Sequence, residues 1–237
     1  MQPYKTNISV DVHDVDFNGV VRVSALMRYI QSAAQLQLTE CGKSYDNLRK
    51  ENRAFLLSRI KMEFTEDLRA YDPLTVTTFP CDSRGYSFLR CYTVEKFGKT
   101  VGKAVSVWAL VDTATRALVR VNDFDLGLET YSPLDLPLDR MIMPKDFETV
   151  GHYTVEYGII DQNNHMNNTA YPDMYSNFLP LENKRIKTIT INYKDEAPAK
   201  DKLTVERAFA DGVFYFRTLR TDWKINSEAE IHLTEIL

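Results

Sequence analysis

Within Asp161-Gln-Asn163-Asn-His165-Met-Asn-Asn168 the chain packs a carboxylate, two kinds of amide donor and an imidazole into eight positions, followed by Thr169-Ala-Tyr171. Side chains two apart point the same way along an extended backbone. If the segment is strand-like, Asp161, Asn163 and His165 converge on one pocket. An acceptor, a neutral amide donor and a titratable ring are the parts needed to polarise a carbonyl and move a proton beside it. Read alone, the same letters also describe a solvated Asn-rich turn. The choice between them depends on the elements around the segment.

Those elements occur twice. Residues 4–12 alternate like a strand. Residues 24–41 place Leu26, Tyr29, Ile30, Ala33, Ala34 and Cys41 at helical spacing, with Ser24 as the expected N-cap and Gly42 as the expected residue after the C-cap. A short helical turn near 44–51 precedes β-branched and aromatic runs at 53–65, 73–81, 86–97 and 101–113, separated by turn residues. Residues 122–148 hold Pro133, Pro137 and Pro144 without sustained periodicity, which reads as a linker crossing the surface. From 149 the order repeats: a strand at 152–157, the Asn-rich loop, a helix near 169–180, and strands near 185–195, 201–210, 212–222 and 223–235. Ile60–Val76 set against Ile189–Val205 without gaps pairs Ile60 with Ile189, Ala70 with Ala199 and Asp72 with Asp201. It also pairs Leu74-Thr-Val76 with Leu203-Thr-Val205. Asp16-Phe-Asn18 likewise matches Asp161-Gln-Asn163, with Val20 where His165 stands. The expectation is a duplication: repeats at 1–121 and 149–237 joined by 122–148, each a curved antiparallel sheet around a helix, meeting edge to edge with no open edge at the join.

Bulk properties exclude several classes. A net charge of −4 with 26% charged residues gives no basic footprint for nucleic acid. No apolar run approaches the ~20 residues of a membrane span, and the N-terminus lacks a secretory h-region, so neither membrane insertion nor secretion is expected. Cys41, Cys81 and Cys91 are odd in number and lack C-x-x-C spacing. That fits a reducing cytoplasm and no disulfide framework or zinc knot. His13, His152 and His232 are isolated, so no metal and no cofactor are expected.

Strand, buried helix and antiparallel meander, repeated, resembles the α+β double hotdog. The motif at Asp161–Asn168 with Tyr171 resembles the acyl-acyl-carrier-protein thioesterases of plants and bacteria. Asn192-Tyr193-Lys194-Asp195-Glu196 is similar to the same family's Tyr-basic-x-Glu strand end, and Trp108 to Arg116 to its tryptophan-to-Thr-Arg hairpin. The resemblance implies hydrolysis of a fatty acyl thioester on an acyl carrier protein, releasing free fatty acid and ending chain elongation. Asp161, Asn163, His165 and Glu196 would be the catalytic set. Glu196 and His165 would share the base and acid roles, Asn163 would position water or carbonyl, and Asp161 would hold the loop or act as a second carboxylate. Backbone N–H groups at the entry of the 169–180 helix would add oxyanion donors. In plant members a cysteine follows the glutamate; here Ala197 stands there, which removes a Cys–His mechanism at this site. Helix residues Leu26, Met27, Ile30 and Ala34 would wall an acyl tunnel or serve as plain core. Lys184, Arg185, Lys187 and Lys194 form a candidate docking patch for the acidic carrier, or a solvated face. Hotdog sheets can pair through exposed edges, so a homodimer is compatible with the pattern. On the same scaffold the alternatives are an acyl-coenzyme-A thioesterase and a hydroxyacyl dehydratase.

Overall fold

The computed structural model describes residues 2–237. Eleven strands form one antiparallel sheet: β1 (Tyr4–Ser9), β2 (Arg53–Phe64), β3 (Pro73–Pro80), β4 (Phe88–Lys96), β5 (Lys99–Asp112), β6 (Leu118–Val119), β7 (Glu148–Thr154), β8 (Lys184–Tyr193), β9 (Lys202–Ala210), β10 (Val213–Leu219) and β11 (Ile225–Glu235). Their order is β1-β3-β4-β5-β2-β8-β11-β10-β9-β7, with β6 added on β5. The second half mirrors the first about the β2–β8 seam. There Ile60 pairs with Ile191 and Met62 with Ile189, so Lys61 and Thr190, equivalent in the two copies, pair with each other across a pseudo-dyad.

Each half curls around a helix. Helix α1 (Val23–Glu40) buries Leu26, Met27, Ile30, Ala33 and Ala34, and these join the main core with Ile60, Met62, Tyr92, Ile189 and Phe216. Its C-terminus closes as the sequence predicts. Gly42 has φ 72°, its N–H donates to Thr39 O, and Lys43 N–H donates to Leu38 O, the paired bonds of a Schellman ending. Its start differs: Arg22, with no side-chain cap bond, precedes a helix beginning at Val23, and Ser24 is fully buried in the first turn. Helix α2 (Tyr45–Lys50) follows, capped by Ser44 Oγ accepting from Asn47 N. In the second copy α3 covers only Tyr171–Ser176, shorter than the expected 169–180. The chain leaves the helical path there, and Phe178 lies where a Cβ on Gly151 would come within 2.7 Å of its ring.

Residues between β6 and β7 cross the outer face of the first half-sheet. Leu134, Leu136 and Leu138 pack on Cys81, Cys91 and Val105. Lys61 Nζ donates to Pro137 O at 2.9 Å, and Arg59 reaches Leu138 O and Asp139 O. Among the described residues no helix is long and apolar enough to cross a membrane.

Candidate active site

The loop is a tight turn rather than an extended ladder. Ile160 bridges Met166, Asp161 N–H donates to His165 O at 2.9 Å, and Asn164 N–H donates to Asp161 O at 3.0 Å. Asn164 sits at φ 65°, a left-handed conformation Asn tolerates. Asp161 turns inward: Oδ1 accepts from the N–H of Asn163 (2.8 Å) and of His165 (3.4 Å), and Oδ2 from Asn163 Nδ2 (3.3 Å). Its geometry is that of a residue holding the loop. Asn167 Oδ1 accepts from Thr169 N and Thr169 Oγ1. The N–H groups of Met166, Asn167 and Ala170 donate to Ala197 O, Ile159 O and Asn167 O. The backbone donors expected at this helix entry are therefore occupied by the protein itself, apart from any that Asn168 offers.

Glu196 lies just past the end of β8, and the turn brings His165 to it: Nε2 to Oε2 is 3.3 Å. The side chains are 31% and 56% exposed, so water reaches both. The backbone under Glu196 is held by fully buried Asn226. Its O accepts from the N–H of Lys194 and Asp195, and its Nδ2 donates to Asp195 O (2.6 Å) and to Tyr171 OH (3.0 Å). Burial pushes the Tyr171 phenol up to about 12, keeping it protonated. Arg220 bridges Asp195 and Asp201 at 2.8 and 3.0 Å. Tyr193 OH donates to Asn168 O at 2.9 Å and ties β8 back to the loop.

Asn163 is held from the other repeat. Tyr45 OH donates to its Oδ1 at 2.7 Å, Arg49 Nη1 lies 3.5 Å from the same oxygen, and Arg49 donates to Tyr45 OH at 2.6 Å. The amide oxygen is thus fixed by the first repeat, and the second N–H of Nδ2, beyond the one given to Asp161 Oδ2, is the donor left to meet a substrate oxygen. Nothing local in the sequence marks Tyr45, Arg49 or Asn226 as partners of this loop.

The first copy repeats the turn without the chemistry. Asp16 N–H donates to Val20 O, Gly19 N–H to Asp16 O, and Asp16 Oδ1 accepts from Asn18 N and Val20 N. Val20 stands for His165, and Asn18 Nδ2 is held by Leu181 O and Lys184 O. The ungapped match puts Asp67 opposite Glu196. The Asp67 side chain is buried and paired with Arg185 at 2.6 Å, the two side chains 7% and 8% exposed. A cavity of about 210 Å³ remains beside it, lined by Val20, Val23, Leu26, Phe64, Leu181 and Ile186 among others. Of the tunnel candidates only Leu26 lines it; Met27, Ile30 and Ala34 are core.

Two expectations are corrected. Arg185 is no surface cation but an inter-repeat ion pair, while Lys184 and Lys194 face Glu235 and Glu228. The cluster is therefore largely neutralised. Cys41, whose helical spacing with Leu26, Ile30 and Ala34 set it on the same stripe, is the C-cap residue of α1 and partly exposed. Cys81 and Cys91 are buried free thiols on the outer face, Cys81 pushed up by its contact with Cys91 and by burial. Ala197 is fully buried next to Glu196.

Family models for the acyl-ACP thioesterase N-terminal and C-terminal domains match residues 1–126 and 143–234. An Arabidopsis thaliana oleoyl-acyl carrier protein thioesterase 2 is 23% identical over 225 residues, covering 84% of this chain and 60% of its own length. The palmitoyl-acyl carrier protein thioesterase of the same plant is 21% identical over 213 residues, covering 81% and 52%. The chain spans a little over half the length of these curated relatives. A crystal structure of an acyl-ACP thioesterase from Bacteroides thetaiotaomicron superimposes with TM-score 0.90 at 22% identity, covering 98% of each chain. The 12:0-ACP thioesterase from Umbellularia californica gives 0.85 at 16% identity over 98% of this chain and 97% of that one. At such identities the likeness establishes the double hotdog fold.

Proposed function

The chain belongs to the acyl-ACP thioesterase family, and from that premise we propose that it hydrolyses the thioester of a fatty acyl chain carried on an acyl carrier protein. The observation that carries the reading is the His165–Glu196 contact at 3.3 Å, with Asn163 in the same turn. Water beside Glu196 gives up a proton to the dyad as its oxygen attacks the thioester carbonyl carbon. Asn163 Nδ2 donates to the oxyanion that forms. Collapse of the tetrahedral intermediate breaks the C–S bond, and the proton passes from His165 to the departing sulfur. The products are a free fatty acid and a free carrier thiol. Asp161 positions the turn, and the first repeat holds the acyl chain. An acidic carrier would meet exposed Arg49 and Lys50 at the end of α2, beside Asn163. Three cysteines, odd in number and without C-x-x-C spacing, fit a reducing compartment such as the cytoplasm. Strands β1 and β7 are the two sheet edges through which a homodimer would form.

Free-thiol release from acyl-carrier and acyl-coenzyme-A thioesters tests the assignment. His165→Ala and Glu196→Gln are each expected to lower kcat by about a hundredfold or more. Variants retaining most of the parent rate would remove the dyad from the mechanism. A single turnover in 18O-water that labels a protein carboxylate first would replace direct water attack by an anhydride through Glu196 or Asp161.

A further inference from the structure

The concave face of the first half-sheet contains a buried cation without a counter-ion. Arg90, on β4, is 7% exposed, and its guanidinium meets only neutral groups: Nη1 donates to Gln37 Oε1 at 2.6 Å and to Thr78 Oγ1 at 3.1 Å. Among the described residues no carboxylate pairs with it. Burial pushes its pKa below the ordinary arginine value. Further polar groups adjoin it. Trp108 Nε1 donates to Ser106 Oγ at 2.7 Å, and Ser106 Oγ lies 3.3 Å from Tyr92 OH and 3.4 Å from Arg90 O. An unpaired buried charge is costly, so a fold keeps one only against some return.

The duplication supplies an internal control. Strand registers equate the pair Arg90–Ser106 with Phe214–Ile231, and Tyr92–Ala104 with Phe216–Ala229. Where the second copy is apolar, the first carries Arg90 and Ser106, so the sheet itself does not require them. The Gln37 partner also lacks a counterpart. Helix α1 runs to Glu40, and Gln37 lies in turns that α3, ending at Ser176, does not have.

This cluster adjoins the catalytic loop through one short connection. Gln37 bonds Arg90, and eight residues later Tyr45 bonds Asn163. The registers put Arg90 level with Ser106, Ile60 and Ile191, three strand steps of ~4.8 Å to the side and five residues of ~3.3 Å short of Glu196, so about 20 Å separates the two along the sheet. An extended acyl chain spans that in about sixteen carbons.

We propose that Arg90, with Gln37, Thr78 and Ser106, anchors an acceptor oxygen at the far end of the acyl chain, so that the substrate is an oxygenated rather than a plain fatty acyl thioester. The proposal rests on the thioesterase reading above and specifies its substrate. The remaining guanidinium N–H groups donate to the chain's distal oxygen while the chain's methylenes lie along Leu57, Phe88 and Trp108.

The test compares acyl carrier protein loaded with plain, ω-hydroxy and ω-carboxy chains of matched length, from about eight to sixteen carbons. The expected result is at least a tenfold higher kcat/KM for an oxygenated chain near the matching length, with Arg90→Met bringing it level with the plain chain. The hydroxyl and carboxyl arms identify which oxygen is read. Efficient hydrolysis of plain chains with no oxygenated preference overturns the inference and leaves the thioesterase reading standing. No hydrolysis of any chain overturns both. If Arg90→Met does not fold, quenching of tryptophan fluorescence in a Trp223→Phe variant, which leaves Trp108 as the emitter, decides. Binding an ω-hydroxy or ω-carboxy fatty acid about tenfold tighter than the plain acid supports the anchor, and equal affinity refutes it.

Discussion

On the proposed mechanism, removing the acid of the first copy should damage the fold and spare the chemistry. In Asp67→Ala the Arg185 guanidinium, 8% exposed, loses the carboxylate 2.6 Å away and keeps only Phe64 O at 3.0 Å and Ile186 O at 3.5 Å. Leu237 N–H loses its acceptor as well. Breaking a buried pair from one side costs about 3–5 kcal/mol, because it leaves an uncompensated charge. Against a total stability of about 5–15 kcal/mol that is a large share. With a urea slope of about 3 kcal/mol per M, the unfolding midpoint should fall by more than about 1 M. Replacing both partners, Asp67→Leu with Arg185→Met, removes the stranded charge and should recover most of the loss. Urea unfolding followed by far-UV circular dichroism measures all three proteins. Thiol release by folded Asp67→Ala should stay close to the parent rate. A single-variant loss under about 1 kcal/mol would refute the buried-pair argument. A hundredfold drop in turnover would show that the first-copy site takes part in catalysis.

Other expectations follow from particular contacts. Tyr45→Phe removes the 2.7 Å donor to Asn163 Oδ1 and should lower kcat about tenfold with little change in KM, measured by steady-state thiol release. A KM effect alone would make Tyr45 a substrate contact instead. Asp112 is held down to about 2 by backbone bonding from Thr115 and by Arg53. Its contribution to stability is therefore complete above the ordinary carboxylate value and disappears as pH falls toward about 2; carbon-detected NMR titration of that carboxyl checks it. Raising ionic strength should weaken carrier-linked turnover more than coenzyme-A-linked turnover if Arg49 and Lys50 meet the carrier.

Much of this was legible in the letters because the local signals agree with the tertiary ones. Gly42 ends α1 because the chain needs a left-handed residue there, and the β-branched runs became β2 to β5 and β8 to β11 close to their expected bounds. The ungapped match of 60–76 with 189–205 survives as strand equivalence across the seam. What the letters hid depends on long-range contact. Ser24 resembles a cap, yet it is packed inside the first turn. Lys184-Arg185 reads as a solvated run, although Arg185 is buried in an inter-repeat pair with Asp67, 118 positions away. Tyr45 meets Asn163 across the same separation, and only the folded pair of repeats brings them together.

The two copies also show why a duplicated site can lose its chemistry while keeping its shape. The Asp-centred turn is preserved in both, because Asp16 and Asp161 satisfy the same backbone N–H groups and a residue without a short side-chain acceptor would leave them unpaired. The reacting positions carry no such constraint. Val20 fills the place of an imidazole, and Asp67 has become an anchor for Arg185 at the seam. Restoring histidine at Val20 alone would set it beside an acid already bonded to Arg185, Arg69 and the Leu237 backbone. The oxygens of that carboxylate are already committed to the pair that ties the two repeats together. On the proposed mechanism, an ion pair as much as a missing ring would confine catalysis to the second copy.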